Sequence, residues 1–391
     1  LIAVSAGDAS GEMHAGLLFR ELRKLEPGVQ AFGIGSDSMR AEGIEIVFDS
    51  SGWGVMGIYE ACKLIPRLLA VRRAFKRMLR AGKPDALLLV DFGAFNVRIA
   101  AVAREQGIPT MYYFPPGSWR RQPDRQGRRQ AWLGDVVVTP FPWSADDLAS
   151  KGIDARFFGH PILDAVQTVE SRGEFCRRHG IGQDARLVAL LPGSRKSEVK
   201  YILPTMLLAA AEIARRLPEA VFLVSAASDP LLPLVERSLR QVSSSSPWRD
   251  LRDRVRISEG RPYGLLNAAD LVIATSGSVT LEAAVFGKPM VIVYKGARIN
   301  EIQYRFIRNR IGYIGLPNII AEKRICPELI QHEATPERIA SEALELLTDR
   351  AKASRMRADL AEVRSALGEP GATKKAAQVL RDLATRKATV P

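Results

Sequence analysis

The sequence predicts an α/β protein made of two doubly wound parallel sheets in tandem, and three observations carry that expectation. Short β-rich runs alternate with helical patterns along most of the 391 residues, the rhythm of parallel βαβ units. A linker-like stretch after Gly159-His160-Pro161, to about Gly182, separates one such series from a second. Small-residue loops stand at the ends of several apolar runs, where strand-to-helix turns of a parallel sheet meet their ligands. A content of 47% hydrophobic and 25% charged residues suits a globular chain of two ordinary domains.

In chain order, the first series of strands is expected at 2–6, 31–34, 86–90, 110–113, 136–138 and 156–158. The second is expected at 186–191, 220–224, 255–257, 270–274 and 290–293. The corresponding domains are 1–165 and 166–365, and the tail from Thr335 onward reads as helices. Its last part, 366–391, is expected to cross back onto the first domain or to contact a second copy of the chain in a homodimer. Ligands of such sheets bind at the carboxyl ends of the strands, so two domains facing each other are expected to hold a cleft between them.

Composition narrows the chemistry. Cys62, Cys176 and Cys326 lie far apart and show no metal-ligand spacing, which reads as reduced thiols of a cytoplasmic protein. The apolar runs are strand-length, well short of the roughly 20 residues a spanning helix needs, and no signal peptide is read at the start. A net charge of +13 directs attention to anionic partners. Between Lys63 and Arg80 there are seven basic residues and no acid, while Leu64, Leu68, Val71, Phe75 and Met78 recur at helical spacing. That pattern is either an ordinary surface helix with a solvated basic face or a helix drawn to anionic lipid headgroups. No nucleic-acid module is recognisable, and aromatic-basic repeats for base stacking are missing.

Four loops carry candidate chemistry. Leu190-Leu191-Pro192-Gly193-Ser194-Arg195-Lys196-Ser197-Glu198 runs from an apolar strand through a Gly/Ser turn with two cations into a long helix, a cradle for phosphate. Ala274-Thr275-Ser276-Gly277-Ser278-Val279-Thr280-Leu281-Glu282 repeats the arrangement about 80 residues on, with Glu282 either accepting from a sugar diol or favouring the helix dipole. Ser5-Ala6-Gly7-Asp8-Ala9-Ser10-Gly11-Glu12 places Asp8, Ser10, Gly11 and Glu12 in a substrate-facing loop, or is a plain turn capped by Ser10. It lacks the GxGxxG fingerprint of nicotinamide enzymes. Asp91, after an apolar strand and before Phe92-Gly93-Ala94-Phe95-Asn96, is either a general base or a helix cap, and Asn96 has the same ambiguity. His160 reads as ordering a hinge.

With these residues assembled, the chain resembles the lipid-A-disaccharide synthases, a GT-B glycosyltransferase family. The motifs in order are Ala6 to Glu12, Val55-Met56-Gly57-Ile58, Asp91 to Asn96, Phe158-Gly159-His160-Pro161, Leu191 to Glu198, Thr275 to Glu282 and Leu316-Pro317-Asn318. The resemblance implies transfer of 2,3-diacylglucosamine from its UDP conjugate to 2,3-diacylglucosamine 1-phosphate with inversion. Asp91 matches the family's proposed base, and Arg195 with Ser194 its donor-phosphate loop. Ser276, Gly277, Ser278, Thr280 and Glu282 match its nucleotide loop, and Asn318 a motif near the donor. Neither cofactor nor metal is called for, since Arg195 and loop amides can neutralise the leaving diphosphate. Val55, Met56 and Ile58, with Trp119, Arg120, Arg72, Arg73 and Lys76, are the expected acceptor and membrane-docking residues of a cytoplasmic enzyme peripheral to the inner membrane. Departures from the family pattern fall in the acceptor half: Asp8 and Glu12 exchange the usual Glu and Asp, Ala94 replaces an Asp, and Phe114 to Arg121 alters an aromatic loop. Readings with a different lipid acceptor, with UDP-N-acetylglucosamine 2-epimerase chemistry, or with binding alone remain alongside.

Overall fold

The computed structural model describes residues 1–53, 58–118, 132–166, 169–182, 184–242, 251–260, 262–296 and 312–388. Val55, Met56, Trp119 and Arg120 lie outside the described residues, as does the side chain of Ile58. The chain divides into two compact units, one formed by Leu1–Ala165 with Leu367–Pro391 and the other by Val166–Ala366.

The first unit is a seven-stranded parallel sheet in the order β3-β2-β1-β4-β5-β6-β7. Its strands are β1 (Ile2–Ser5), β2 (Ala31–Gly35), β3 (Glu45–Asp49), β4 (Ala86–Val90), β5 (Thr110–Tyr113), β6 (Val136–Thr139) and β7 (Ala155–Phe157). Every residue of β1, β4 and β5 is buried, as expected of parallel strands covered on both faces. The edge strand β3 was not expected, and β7 begins one residue earlier than the sequence indicated. On one face, helix Ile58–Gly82 sets Phe75 and Leu79 into the core, with Leu64, Leu68, Val71 and Met78 packed beside them. The stripe read from the spacing is therefore the buried one.

On the other face helix Ala9–Leu25 lies against the C-terminal helix Ala372–Ala388, and Leu18, Phe19 and Leu22 share a core with Ala376, Leu380 and Leu383. Asp164 fixes the start of that last helix by accepting from the backbone N–H groups of Gly371 and Thr373. The His160 N–H donates to the Leu367 carbonyl at 2.7 Å. The Gly159-His160-Pro161 motif thus anchors the returning chain within its own unit.

The second unit is a six-stranded parallel sheet in the order β10-β9-β8-β11-β12-β13. Its strands are β8 (Arg186–Leu191), β9 (Ala220–Ala226), β10 (Val255–Glu259), β11 (Leu271–Thr275), β12 (Met290–Tyr294) and β13 (Glu328–Ile330). The three-residue β13 was not expected. The stretch read as a linker holds helices Ile162–Ala165 and Arg172–Arg178, the latter started by a capping box between Ser171 and Glu174.

Candidate functional sites at the switch point of each sheet

A doubly wound sheet binds ligands where its strand order reverses, because the helices leaving the two central strands depart to opposite faces and open a crevice. The first sheet reverses between β1 and β4, the second between β8 and β11. All four loops singled out in the sequence leave these four strands.

In the first unit, β4 ends in two consecutive left-handed residues, Asp91 and Phe92, both at φ +46°. A left-handed non-glycine residue costs roughly 1–2 kcal/mol, so surrounding contacts must hold this turn. They are specific. The Asn96 amide donates to the carbonyls of Ser5 (3.1 Å), Val90 (3.1 Å) and Asp91 (3.0 Å), while its oxygen accepts from the Ser5 hydroxyl at 2.7 Å. The Tyr112 hydroxyl donates to the Asp91 carbonyl at 2.8 Å. Phe92 stacks on Phe95 and tilts against Trp53, at centroid distances of 5.2 and 5.8 Å. A Cβ on residue 7 would stand 2.5 Å from the Phe92 ring, so only glycine admits it there. Asp91 itself is partly exposed. Neither Asp91 nor Asn96 caps the following helix Gly93–Glu105: Phe92 holds the cap position, and Asn96 reaches back from the first turn to tie β1 to β4.

The loop after β1 divides its roles differently from expectation. Asp8, not Ser10, caps helix Ala9–Leu25, accepting from the Gly11 N–H at 2.7 Å. Ser10 is partly exposed beside it. Glu12 is only 4% exposed and accepts from the hydroxyls of Ser36, after β2, and Ser50, after β3. Burial raises its pKa while the two hydroxyls act in the opposite direction. Glu12 therefore ties the helix start to the neighbouring strand ends.

Behind this loop His14 stacks on Phe114 at 4.6 Å, and His160 packs edge-on against Phe114 and Phe141. His160 accepts the Ile162 N–H on Nδ1, which requires the neutral ring; burial, and then His14, hold its pKa well below 6.5. The unfolded chain protonates this imidazole near its ordinary value and the folded chain does not, so the stability His160 contributes is present above about pH 6.5 and is lost as pH falls below it. The urea midpoint should drop between pH 7.5 and 5.5, and a His160→Gln variant should show a flatter dependence.

In the second unit, Gly193 at φ +117° turns the chain so tightly that a Cβ there would lie 2.1 Å from the Glu198 carboxylate. Glu198, 5% exposed, accepts from the Arg195 backbone N–H at 3.1 Å and from its guanidinium at 2.7 Å. The Arg195 side chain is 36% exposed, so Glu198 orients the cation and leaves part of it open to solvent at the start of helix Lys196–Arg216. Ser194 is exposed alongside. β8 and β11 are hydrogen-bonded neighbours with Leu191 opposite Ala274, which brings Gly277 and Ser278, both exposed, to the adjacent strand end. Ser276 donates to the Ile314 carbonyl at 2.7 Å. Among the described residues, the anion donors that reach solvent at this edge include Arg195, Ser194, Lys196 and the 277–278 turn.

Three expected donor contacts lie deeper. Thr280 is fully buried and spends its hydroxyl on the Gly277 carbonyl at 2.8 Å; Glu282 is 8% exposed within helix Ser278–Val285. Asn318, also fully buried, donates to the Cys326 carbonyl (2.9 Å) and Glu328 (2.8 Å), and accepts from the N–H groups of Ile325 (2.9 Å) and Cys326 (2.8 Å). A carboxamide offers two donors and two lone pairs, so none is left for a ligand. Asn318 fastens the turn between Leu316–Ala321 and Glu328.

The family described as lipid-A-disaccharide synthetase matches residues 2–383. The chain belongs to this family. Among curated relatives, the lipid-A-disaccharide synthase of Syntrophus aciditrophicus is 35% identical over 380 residues, covering 96% of each chain. That of Anaeromyxobacter dehalogenans (strain 2CP-C) is 37% identical over 381 residues, again with 96% of each covered. Among solved structures, a UDP-N-acetylglucosamine 2-epimerase from Neisseria meningitidis bound to UDP-GlcNAc aligns at TM-score 0.63 and 15% identity, over 97% of this chain and 99% of that one. MurG from Acinetobacter baumannii aligns at 0.57 and 15%, with the same coverage. These likenesses establish the GT-B fold.

Within this lipid-A-disaccharide synthase family member, the basic helix exposes Arg73 and Ile65, with Arg72 and Lys76 partly exposed. Among the described residues no helix is long and apolar enough to cross a membrane. Sequence reasoning missed Ser36, Ser50 and Tyr112, whose roles arise only from tertiary contact. It also missed Lys295, which follows β12 and whose amine donates to the Thr205 hydroxyl at 3.2 Å. Lys295 carried a signal that was not used: it is a cation directly after an apolar strand.

Proposed function

We propose that this chain is a lipid-A-disaccharide synthase joining UDP-2,3-diacylglucosamine and 2,3-diacylglucosamine 1-phosphate. The observation that carries the reading is the family match from residue 2 to 383 in a chain whose four sequence-marked loops all leave the switch-point strands. The acceptor 6-hydroxyl attacks the donor C1 from the face opposite UDP. Asp91 takes its proton, the new C1–O bond forms, and the C1–O bond to the diphosphate breaks to release UDP. Arg195, with the hydroxyls and amides of Ser194, Gly277 and Ser278, takes up the charge developing on the leaving diphosphate. The test is UDP release by the purified protein with and without acceptor, followed by mass analysis of the lipid. Acceptor-dependent release with a disaccharide monophosphate product is expected, and UDP release indifferent to acceptor would overturn it. Arg195→Ala should lower kcat by about 10²-fold, the scale of one lost charge-stabilising contact.

Docking on the cytoplasmic face of a membrane belongs to the same reading, because both substrates carry acyl chains. Each basic side chain near an anionic surface contributes about 1 kcal/mol. Replacing Arg72, Arg73 and Lys76 together by Glu should abolish co-sedimentation with phosphatidylglycerol vesicles while leaving the fold intact. Binding unchanged by the triple replacement would remove this helix from the docking surface.

A further inference from the structure

The Asp91 turn raises a question the proposed reaction leaves open: what holds a strained backbone steady enough to aim a carboxylate. Three interactions act on the Asp91 peptide groups. Its N–H donates to the Tyr113 carbonyl at 3.0 Å, and its carbonyl accepts from Asn96 at 3.0 Å and from Tyr112 at 2.8 Å. Asn96 is spread over three carbonyls and serves the β1–β4 junction as a whole. Tyr112 is different. It is a fully buried residue of β5, opposite Leu89, in a core otherwise made of Ala3, Phe75, Leu87, Ile99 and similar apolar side chains.

Phenylalanine would fill the same space without bringing a hydroxyl that costs roughly 1–3 kcal/mol if it is buried unsatisfied. That hydroxyl donates to the carbonyl of the strained residue. A carbonyl lies in the peptide plane joining Asp91 to Phe92, so holding it restrains ψ of Asp91 together with φ of Phe92, and φ of Phe92 is one of the two left-handed angles that the turn makes costly. We propose that Tyr112 is a positioning residue for the transfer reaction, locking the Asp91–Phe92 peptide plane and through it the direction of the Asp91 carboxylate. Burial holds the phenol well above its ordinary pKa, so it stays a donor throughout the working pH range. The inference rests on Asp91 as the base.

The experiment compares the wild type with Tyr112→Phe, Asp91→Asn and the double variant, measuring kcat, both KM values and the pH dependence of kcat. For Tyr112→Phe a fall of about tenfold in kcat is expected, with both KM values within about twofold and a displaced acid limb, the pattern of a misaimed base rather than lost binding. In the Asp91→Asn background the same change should have no further effect, because there is no longer a base to aim. Replacing Tyr112 by 4-aminophenylalanine, which keeps a donor at the same position, should restore most of the rate. An equal loss in both backgrounds would make the hydroxyl structural and overturn the proposal. So would an unchanged kcat and pH profile in Tyr112→Phe while Asp91→Asn is inactive. Full turnover by Asp91→Asn would overturn the base assignment itself, and the positioning role with it.

Discussion

Asp91→Asn is expected to lower the rate of disaccharide formation by about 10²- to 10⁴-fold, the contribution typical of a positioned proton acceptor. The replacement is nearly isosteric, and asparagine tolerates the left-handed backbone at this position, where φ is +46°. The Asp91 backbone bonds to Tyr112, Tyr113 and Asn96 are all kept, because none of them involves the carboxylate. Thermal unfolding should therefore change little and UDP should bind as in the wild type, since the open donor-side groups belong to the other unit. Loss of kcat with an unaltered UDP affinity measured by calorimetry is the expected signature. A variant turning over within a few-fold of the wild type would mean that the acceptor proton leaves by another route.

Asn318→Ala should act on stability. Removal of this side chain leaves the Ile325 and Cys326 N–H groups and the Cys326 carbonyl without their partner in a fully buried position. Each orphaned group costs roughly 1–3 kcal/mol, so the sum is at least about 3 kcal/mol, at the upper end of ordinary single-residue effects. For a unit of this size that corresponds to a fall of roughly 10 °C in the thermal midpoint. Hydrogen exchange should localise the damage to the Ile325 and Cys326 amides. Asn318→Asp is a sharper probe: it keeps both acceptor contacts but puts a second carboxylate against Glu328, 2.8 Å away in the native protein. Weakened UDP binding at an unchanged midpoint would return Asn318 to the donor contacts.

The frame of the molecule was legible where burial is uniform. β1, β4, β8 and β11 are apolar along nearly their whole length because helices cover both faces, and these four strands define both switch points. β3 escaped because an edge strand with Glu45 and Asp49 at its ends lacks that signal, and β13 because three residues are too few to show a period. The helix beginning at Ile58 was legible from the spacing of Leu64, Leu68, Val71, Phe75 and Met78 alone. At the site, sequence located the loops but not the division of labour within them. Asp8 and Ser10 are equally good caps by type, and only the folded turn decides between them. Glu12, Thr280 and Asn318 have the chemistry of ligand-binding residues, but each is satisfied inside the protein by partners 3 to 38 residues away. The left-handed pair at Asp91 and Phe92 carries no local mark, because contacts from residues 96 and 112 impose it.

The unit that carries Asp91 is assembled from two segments that flank the other unit in sequence, so its completion waits on the synthesis of that other unit. Its strands leave the ribosome before Val166–Ala366, yet the helix that covers Leu18, Phe19 and Leu22 comes after the whole of that segment, about 200 residues later. At roughly 5–20 residues per second, an apolar face of the nascent domain stays bare for some 10 to 40 seconds. The unit whose strands are synthesised before Val166–Ala366 is thus completed after it, with the covering helix added last.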